Sequence, residues 1–228
     1  MSKWYVHQAK VNPDLFRVIF DFNRRPQSWL HPEVMSALPH RHLVQALSQT
    51  NHGASHLSGW LGRELKLDSA ETHWDFEEPR RRIALLSATT LHRLSCYAGS
   101  AACWPKIAAA IQRDELREVK ATLGEEAHVF ALRRGRLIVP EEETLSPPSG
   151  LSLAQHAMKV GWQIVSAVVE NDPATVQQRF ALKLPPKVAE TLASEGSGLS
   201  PEFKSKAWQT LRKISNEVLT EGEAKCFA

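Results

Sequence analysis

Residues 91–132, LHRLSCYAGSAACWPKIAAAIQRDELREVKATLGEEAHVFAL, decide the fold class. Leu116, Val119, Leu123, Ala127 and Phe130 recur at steps of three and four, which is the helical repeat. Leu91, Leu94 and Ala98 show the same spacing ahead of them. Trp104-Pro105 separates the two runs, and proline is well tolerated in a first helical turn. Asp114 stands where an N-cap for LREVKATL would sit.

Toward the C-terminus the helical grammar continues. Ser152 with Gln155 has the spacing of a capping box, followed by an apolar stripe at Leu153, Ala157, Val160, Ile164 and Val168. Asp172-Pro173 reads as an N-cap followed by a proline at the first helical position. Val176, Phe180 and Leu184 follow four apart until Pro185-Pro186 stops the run. SEGSGLS at 194–200 reads as a connector. Ser200-Pro201 opens a last helix with Phe203, Ala207, Leu211, Ile214 and Val218 on one face. Between the two halves, RRGRLIVPEEETLSPPSG at 133–150 shows no helical period and reads as a long surface loop, with a short strand expected near 136–139.

The first forty residues are harder. LFRVIFDF at 15–22 alternates in part and fits a short strand or a helix. HPEVMSAL, bounded by prolines, has room only for a short helix, and another starts at Leu43. In SHLSGWLGRELKL, Leu57, Leu61 and Leu65 form one row, weakened by Gly59 and Gly62. DFEEPRRRIALL at 75–86 reads as a loop entering a helix at Pro79, its acids favouring the helix dipole. The expectation is an all-α, mainly helical protein. It is a single globular domain over 1–228 with at most a few short strands. Leu116, Val119, Leu123, Phe130, Val176, Phe180, Leu184, Leu211 and Ile214 are its expected core.

Composition bounds the function classes. The 228 residues are 43% hydrophobic and 23% charged, ordinary for a globular chain. Net charge is +3, from 28 basic and 25 acidic residues, too balanced to point to nucleic acid. No run reaches the ~20 apolar residues of a membrane helix, and MSKWYVHQAK lacks the hydrophobic core of a signal peptide. Cys96, Cys103 and Cys226 cannot all pair within one chain, and free thiols fit a reducing compartment. A cytoplasmic location follows as the expectation. The seven tryptophans, Trp4, Trp29, Trp60, Trp74, Trp104, Trp162 and Trp208, are expected mostly as core anchors.

The search for chemistry leaves little. No phosphate-binding glycine loop, nucleophile elbow or zinc-protease motif occurs. His52 and His56, with His40 and His42 nearby, are the strongest metal-like feature, but no Cys or carboxylate stands at zinc spacing. Asp75, Glu77 and Glu78 read as a helix-start signal. His92 four before Cys96 is a common accident of helices. No catalytic, cofactor-binding or metal-ligating residue is assigned. Two arginine clusters remain, Arg80-Arg81-Arg82 and Arg133-Arg134-x-Arg136. Each reads as a solvated face or as a docking surface for an acidic partner.

The order of these segments carries a resemblance. LHRLSCYAG, then IQRDELREVKATLGEEAHVFAL, then RFALKLP at 179–185 resembles the SctK (YscK-type) accessory proteins of bacterial type III secretion systems, over about 91–185. DFNRRPQSWLHPEVMSALP, with F-x-x-x-P before Leu30-His31, is similar to the family's opening. The resemblance implies a non-enzymatic cytoplasmic adaptor of the sorting platform, without cofactor. Such an adaptor links the cytoplasmic domain of the inner-membrane ring protein SctD to the pod protein SctQ. Through SctQ it reaches SctL and the ATPase SctN. It is membrane-proximal without being inserted, and it does not bind nucleic acid. Two other classes stay open on the residues: a helical nucleic-acid-binding regulator using the arginines, and an enzyme without a recognisable constellation.

Overall fold

The computed structural model describes residues 2–48, 50–67, 72–145, 148, 150–195 and 199–227. Fourteen α-helices follow in order among them. The first five are α1 (Lys3–Val11), α2 (Pro13–Arg24), α3 (Pro32–Ala37), α4 (Arg41–Ser48) and α5 (Asn51–Glu64). The central five are α6 (Ala88–Ala102), α7 (Trp104–Ala109), α8 (Arg113–Leu123), α9 (Glu125–Ile138) and α10 (Leu153–Val169). The last four are α11 (Ala174–Ala181), α12 (Pro186–Glu195), α13 (Pro201–Val218) and α14 (Glu221–Ala224). No strand occurs among the described residues, so the all-α expectation holds. None of these helices is long and apolar enough to cross a membrane.

The chain divides into two compact units. The first comprises Met1–Ala88, Asn171–Ser194 and Glu221–Ala228; the second comprises Thr89–Glu170 and Glu195–Thr220.

In the first unit, the residues that admitted a strand at 15–22 are helical. Asn12 accepts from the Leu15 N–H, Pro13 occupies the first turn, and Leu15, Ile19 and Phe22 become a buried stripe. Burial of one face in helical steps outweighed the partial alternation of LFRVIFDF. The second core patch of this unit gathers Trp29, Leu30, Val44, Leu57, Leu61 and Leu67. The run at Pro79 is a 3-10 helix to Leu85 with Arg82, Ile83, Ala84 and Leu85 all buried. Pro186 opens α12 two residues after Leu184, so the proline pair separates two helices.

The second unit is built around α10, which packs against both α8 and α13. Its core contains Cys103, Ile107, Val119, Leu123, Ala127 and Leu153. Glycine sets one approach here. A Cβ on Gly99 would lie 1.8 Å from the Ala157 carbonyl oxygen, and one on Gly161 would lie 1.9 Å from that of Ser95. The backbones of α6 and α10 therefore touch where both side chains are missing. Ser152 caps α10 by accepting from the Gln155 N–H, and Ser200 caps α13 by accepting from that of Phe203.

Of the nine expected core residues, eight are buried and Leu116 is half-buried. Three tryptophans, Trp29, Trp74 and Trp162, are buried, whereas Trp4, Trp60, Trp104 and Trp208 are half-buried. Three local expectations need correction. The 133–150 loop with a strand near 136–139 begins later, because α9 runs on to Ile138. Its inner row is Ala127, Ala131, Gly135 and Ile138, and the glycine breaks the apolar pattern because Trp104 fills its place. Asp114 lies inside the first turn of α8, where its charge favours the dipole, while Gln112 is the cap. Asp172 does not cap α11; its carboxylate turns to arginines instead. Residues 146, 147 and 149 of the expected loop and 196–198 of the expected connector lie outside the described residues.

Candidate interaction surfaces

The first arginine cluster works inward. Arg80 pairs with Glu78 at 2.7 Å and with Asp172 at 3.4 Å. Arg81 Nε donates to Asp172 Oδ1 at 3.2 Å, and its Nη1 donates to the Asp75 carbonyl at 2.8 Å. Arg82 is 7% exposed and donates to the carbonyls of Phe76 (2.8 Å), Glu77 (3.1 Å) and Cys226 (3.1 Å). Its guanidinium also lies over the Trp4 ring. These bonds join residues 75–78, the start of α11 and the C-terminal turn Lys225–Phe227. Burial pushes the Asp172 carboxyl up, and the hydrogen bond from Arg81 and the charges of both arginines oppose it.

Two further buried cations escape a sequence reading. Lys183 is 1% exposed and donates to the carbonyls of Ala84 at 2.7 Å and Leu86 at 2.9 Å. Its ammonium faces the rings of Phe22 and Trp29. Burial pushes its amine down to about 7. Arg179 is buried and donates to the Thr175 carbonyl at 3.2 Å. Both belong to RFALKLP, where the signal was a cation inside an apolar helical row. Cations buried against carbonyl oxygens lock loops by satisfying several acceptors at once.

The second cluster faces outward. Arg133, Arg134 and Arg136 are exposed on α9, in the second unit. Arg134 reaches Glu217 of α13 at 3.5 Å. Leu132 and Leu137, which the sequence reading passed over, are 50% and 64% exposed on the same helix. Their signal was placement: each is offset from the row of Ala127, Ala131 and Ile138 that faces the core. The structure thus places the two arginine clusters in different compact units.

The chemical candidates stay apart. His40, His42, His52 and His56 are all exposed, and no group of three potential ligands gathers among the described residues. Cys96 Sγ lies 3.8 Å from His92 Nε2, but burial pushes its thiol up to about 11, the wrong direction for a nucleophile. Cys103 is pushed up to about 12 by burial, and all three cysteines are free. Asp75 uses its carboxylate to accept from the Glu77 N–H, a turn contact. A cleft of about 1010 Å³ lies beside α5, lined in part by Phe20, Arg24, Arg25, Gln27 and Ser58. Gln27 and Ser58 bond each other there, and Arg25 pairs with Asp21.

Comparison with known proteins adds the decisive finding. No curated protein and no solved structure matches the chain. The family model described as YOP proteins translocation protein K (YscK) matches residues 17–227, nearly the whole chain, including both the 91–185 block and the opening segment that carried the sequence resemblance. The match covers helices of both compact units, and the protein accordingly belongs to the YscK family of type III secretion proteins.

Proposed function

We propose that this protein is a non-catalytic cytoplasmic adaptor of the sorting platform. It links the cytoplasmic domain of the SctD-like ring protein to the SctQ-like pod protein, and through the latter to SctL and SctN. The observation that carries the reading is the family match over 17–227. An adaptor needs two separate surfaces, and a chain that divides into two compact units supports that need. In this reading Arg133 and Arg136 contribute directly to one contact, with Arg134 beside them paired to Glu217. Arg80, Arg81 and Arg82 contribute by holding the first unit in shape.

The test is reconstitution with the purified full chain, the SctQ-like protein and the SctD-like cytoplasmic domain of the same apparatus. The expected result is a ternary complex at equal stoichiometry, in which the outer two components do not associate without this chain. Failure of the chain to bind either component, or mutual exclusion of the two, overturns the reading.

A further inference from the structure

We propose that the outward face of the last two turns of α9 docks an acidic amphipathic segment of a protein partner. This deepens the adaptor reading and rests on it. Leu132, Arg133, Arg136 and Leu137 are all exposed on this face. At about 100° per residue they fall within one arc of roughly 140°, in the order Leu, Arg, Arg, Leu around the helix. The arc points away from Ala127, Ala131, Gly135 and Ile138, which face the core.

The ordinary account of arginine near a helix C-terminus is favourable interaction with the macrodipole. It covers Arg136, in the last turn. It does not explain why two leucines, 50% and 64% exposed, bracket the guanidinium groups. Exposed leucines scattered singly need no explanation, but here both lie on one short ridge beside two guanidinium groups that make no ion pair among the described residues. Arg134, by contrast, turns aside to Glu217.

The ridge is also held from behind. Gly135 lets the helix settle on the Trp104 side chain, to which a Cβ would come within 2.4 Å. Trp104 Nε1 donates to the Val139 carbonyl at 3.0 Å and ties down the end of the helix. A pre-organised surface loses little freedom on binding.

Charge and shape together select the occupant. Planar guanidinium groups pair with carboxylates through two parallel hydrogen bonds. Two leucines five residues apart, about a turn and a half, offer apolar anchors to either side. The complementary surface carries two carboxylates flanked by aliphatic side chains. A lipid surface would call for a longer basic amphipathic face than these two turns.

The test places a photo-crosslinking residue at position 132 or 137 of the full chain in secreting cells, with Ile111, 93% exposed, as the control position. Crosslinked peptides are mapped by mass spectrometry. The expected product joins positions 132 and 137, but not 111, to a segment of another secretion protein bearing two or more Asp or Glu among aliphatic residues. R133E/R136E should remove the crosslink and weaken that partner at least tenfold, in a chain that still unfolds cooperatively and loses no more than the small stability that the helix-dipole contact of Arg136 supplies. Reversing the mapped carboxylates to Arg should restore binding. A second variant, L132S/L137S, should weaken the same partner as well. Crosslinks to lipid, to nucleic acid, to a second copy of this chain, or to a segment without acids overturn the proposal, as does unchanged affinity in both variants. If the wild-type chain bridges its two partners and both variants do so equally well, the ridge proposal fails and the adaptor reading stands. If the wild-type chain bridges nothing, the adaptor reading itself falls.

Discussion

Gly161→Ala is the sharpest probe of the fold. Alanine in place of a helical glycine ordinarily stabilises, by up to about 1 kcal/mol. At position 161 the new Cβ would lie 1.9 Å from the Ser95 carbonyl oxygen and 2.7 Å from its carbon. Both obstacles are backbone, so no side chain can swing aside. Helices α6 and α10 must part by about 1.5 Å to restore ordinary contact at 3.4 Å. Overpacking of this kind costs about 1–3 kcal/mol, and the rigid obstacles put it near the top of that range. Subtracting the propensity gain leaves a net loss of about 2 kcal/mol. For a chain of this length that corresponds to a fall in Tm of roughly 4–8 °C. Gly59→Ala is the matched control, since its Cβ would meet nothing nearer than an Arg63 guanidinium nitrogen at 4.0 Å. It should raise Tm by about 1–3 °C through propensity alone. Calorimetric scans of the two variants against wild type decide the matter. A Gly161→Ala protein that melts at or above the wild-type temperature refutes the close crossing.

Asp172→Ala should destabilise by about 2–3 kcal/mol, because it leaves Arg80 and Arg81 facing a buried gap; urea unfolding measures it, and a loss under 0.5 kcal/mol would show the cluster to be solvated surface. Lys183, held at about 7 when folded against about 10.4 in an unfolded chain, gives a pH signature. Between those values the unfolded chain holds a proton that the folded chain lacks, so this group makes stability rise with pH from about 7 to about 10, by up to ~1.4 kcal/mol per unit. Cys226, its neighbour, is itself pushed up by burial and acts in the opposite direction, so the readout is the difference between wild type and Lys183→Met across that window. Parallel pH curves for the two proteins would refute the assignment.

The helices were legible where the apolar period was intact. The stripe Leu153, Ala157, Val160, Ile164 and Val168 is buried throughout, and so are Trp162, Val165 and Val169 on other faces, because α10 is the central helix of its unit. Legibility failed where a residue of another element completed the face. Gly135 broke the period of α9 because Trp104, thirty-one positions earlier, supplies the missing bulk. Asp172 looked like a cap because its local context, a carboxylate before proline, is that of a cap; two arginines more than ninety positions away claim it instead.

The same division holds for the candidate surfaces. Sequence determined that arginines cluster at 80–82 and 133–136, and that no phosphate-binding glycine loop, nucleophile elbow or zinc-protease motif occurs. It could not say which cluster faces solvent, since both are runs of the same residue. Tertiary structure decided that Arg82 is spent on three carbonyl oxygens, that Lys183 is caged between two carbonyls and two aromatic rings, and that Leu132 and Leu137 stand exposed beside Arg133 and Arg136. The physical reason is range. Helical periodicity is written over steps of three and four residues, whereas a buried charge takes partners off that period, from Phe76 and Glu77 nearby to Ala84, Leu86 and Cys226 far along the chain, wherever folding brings a carbonyl to about 3 Å.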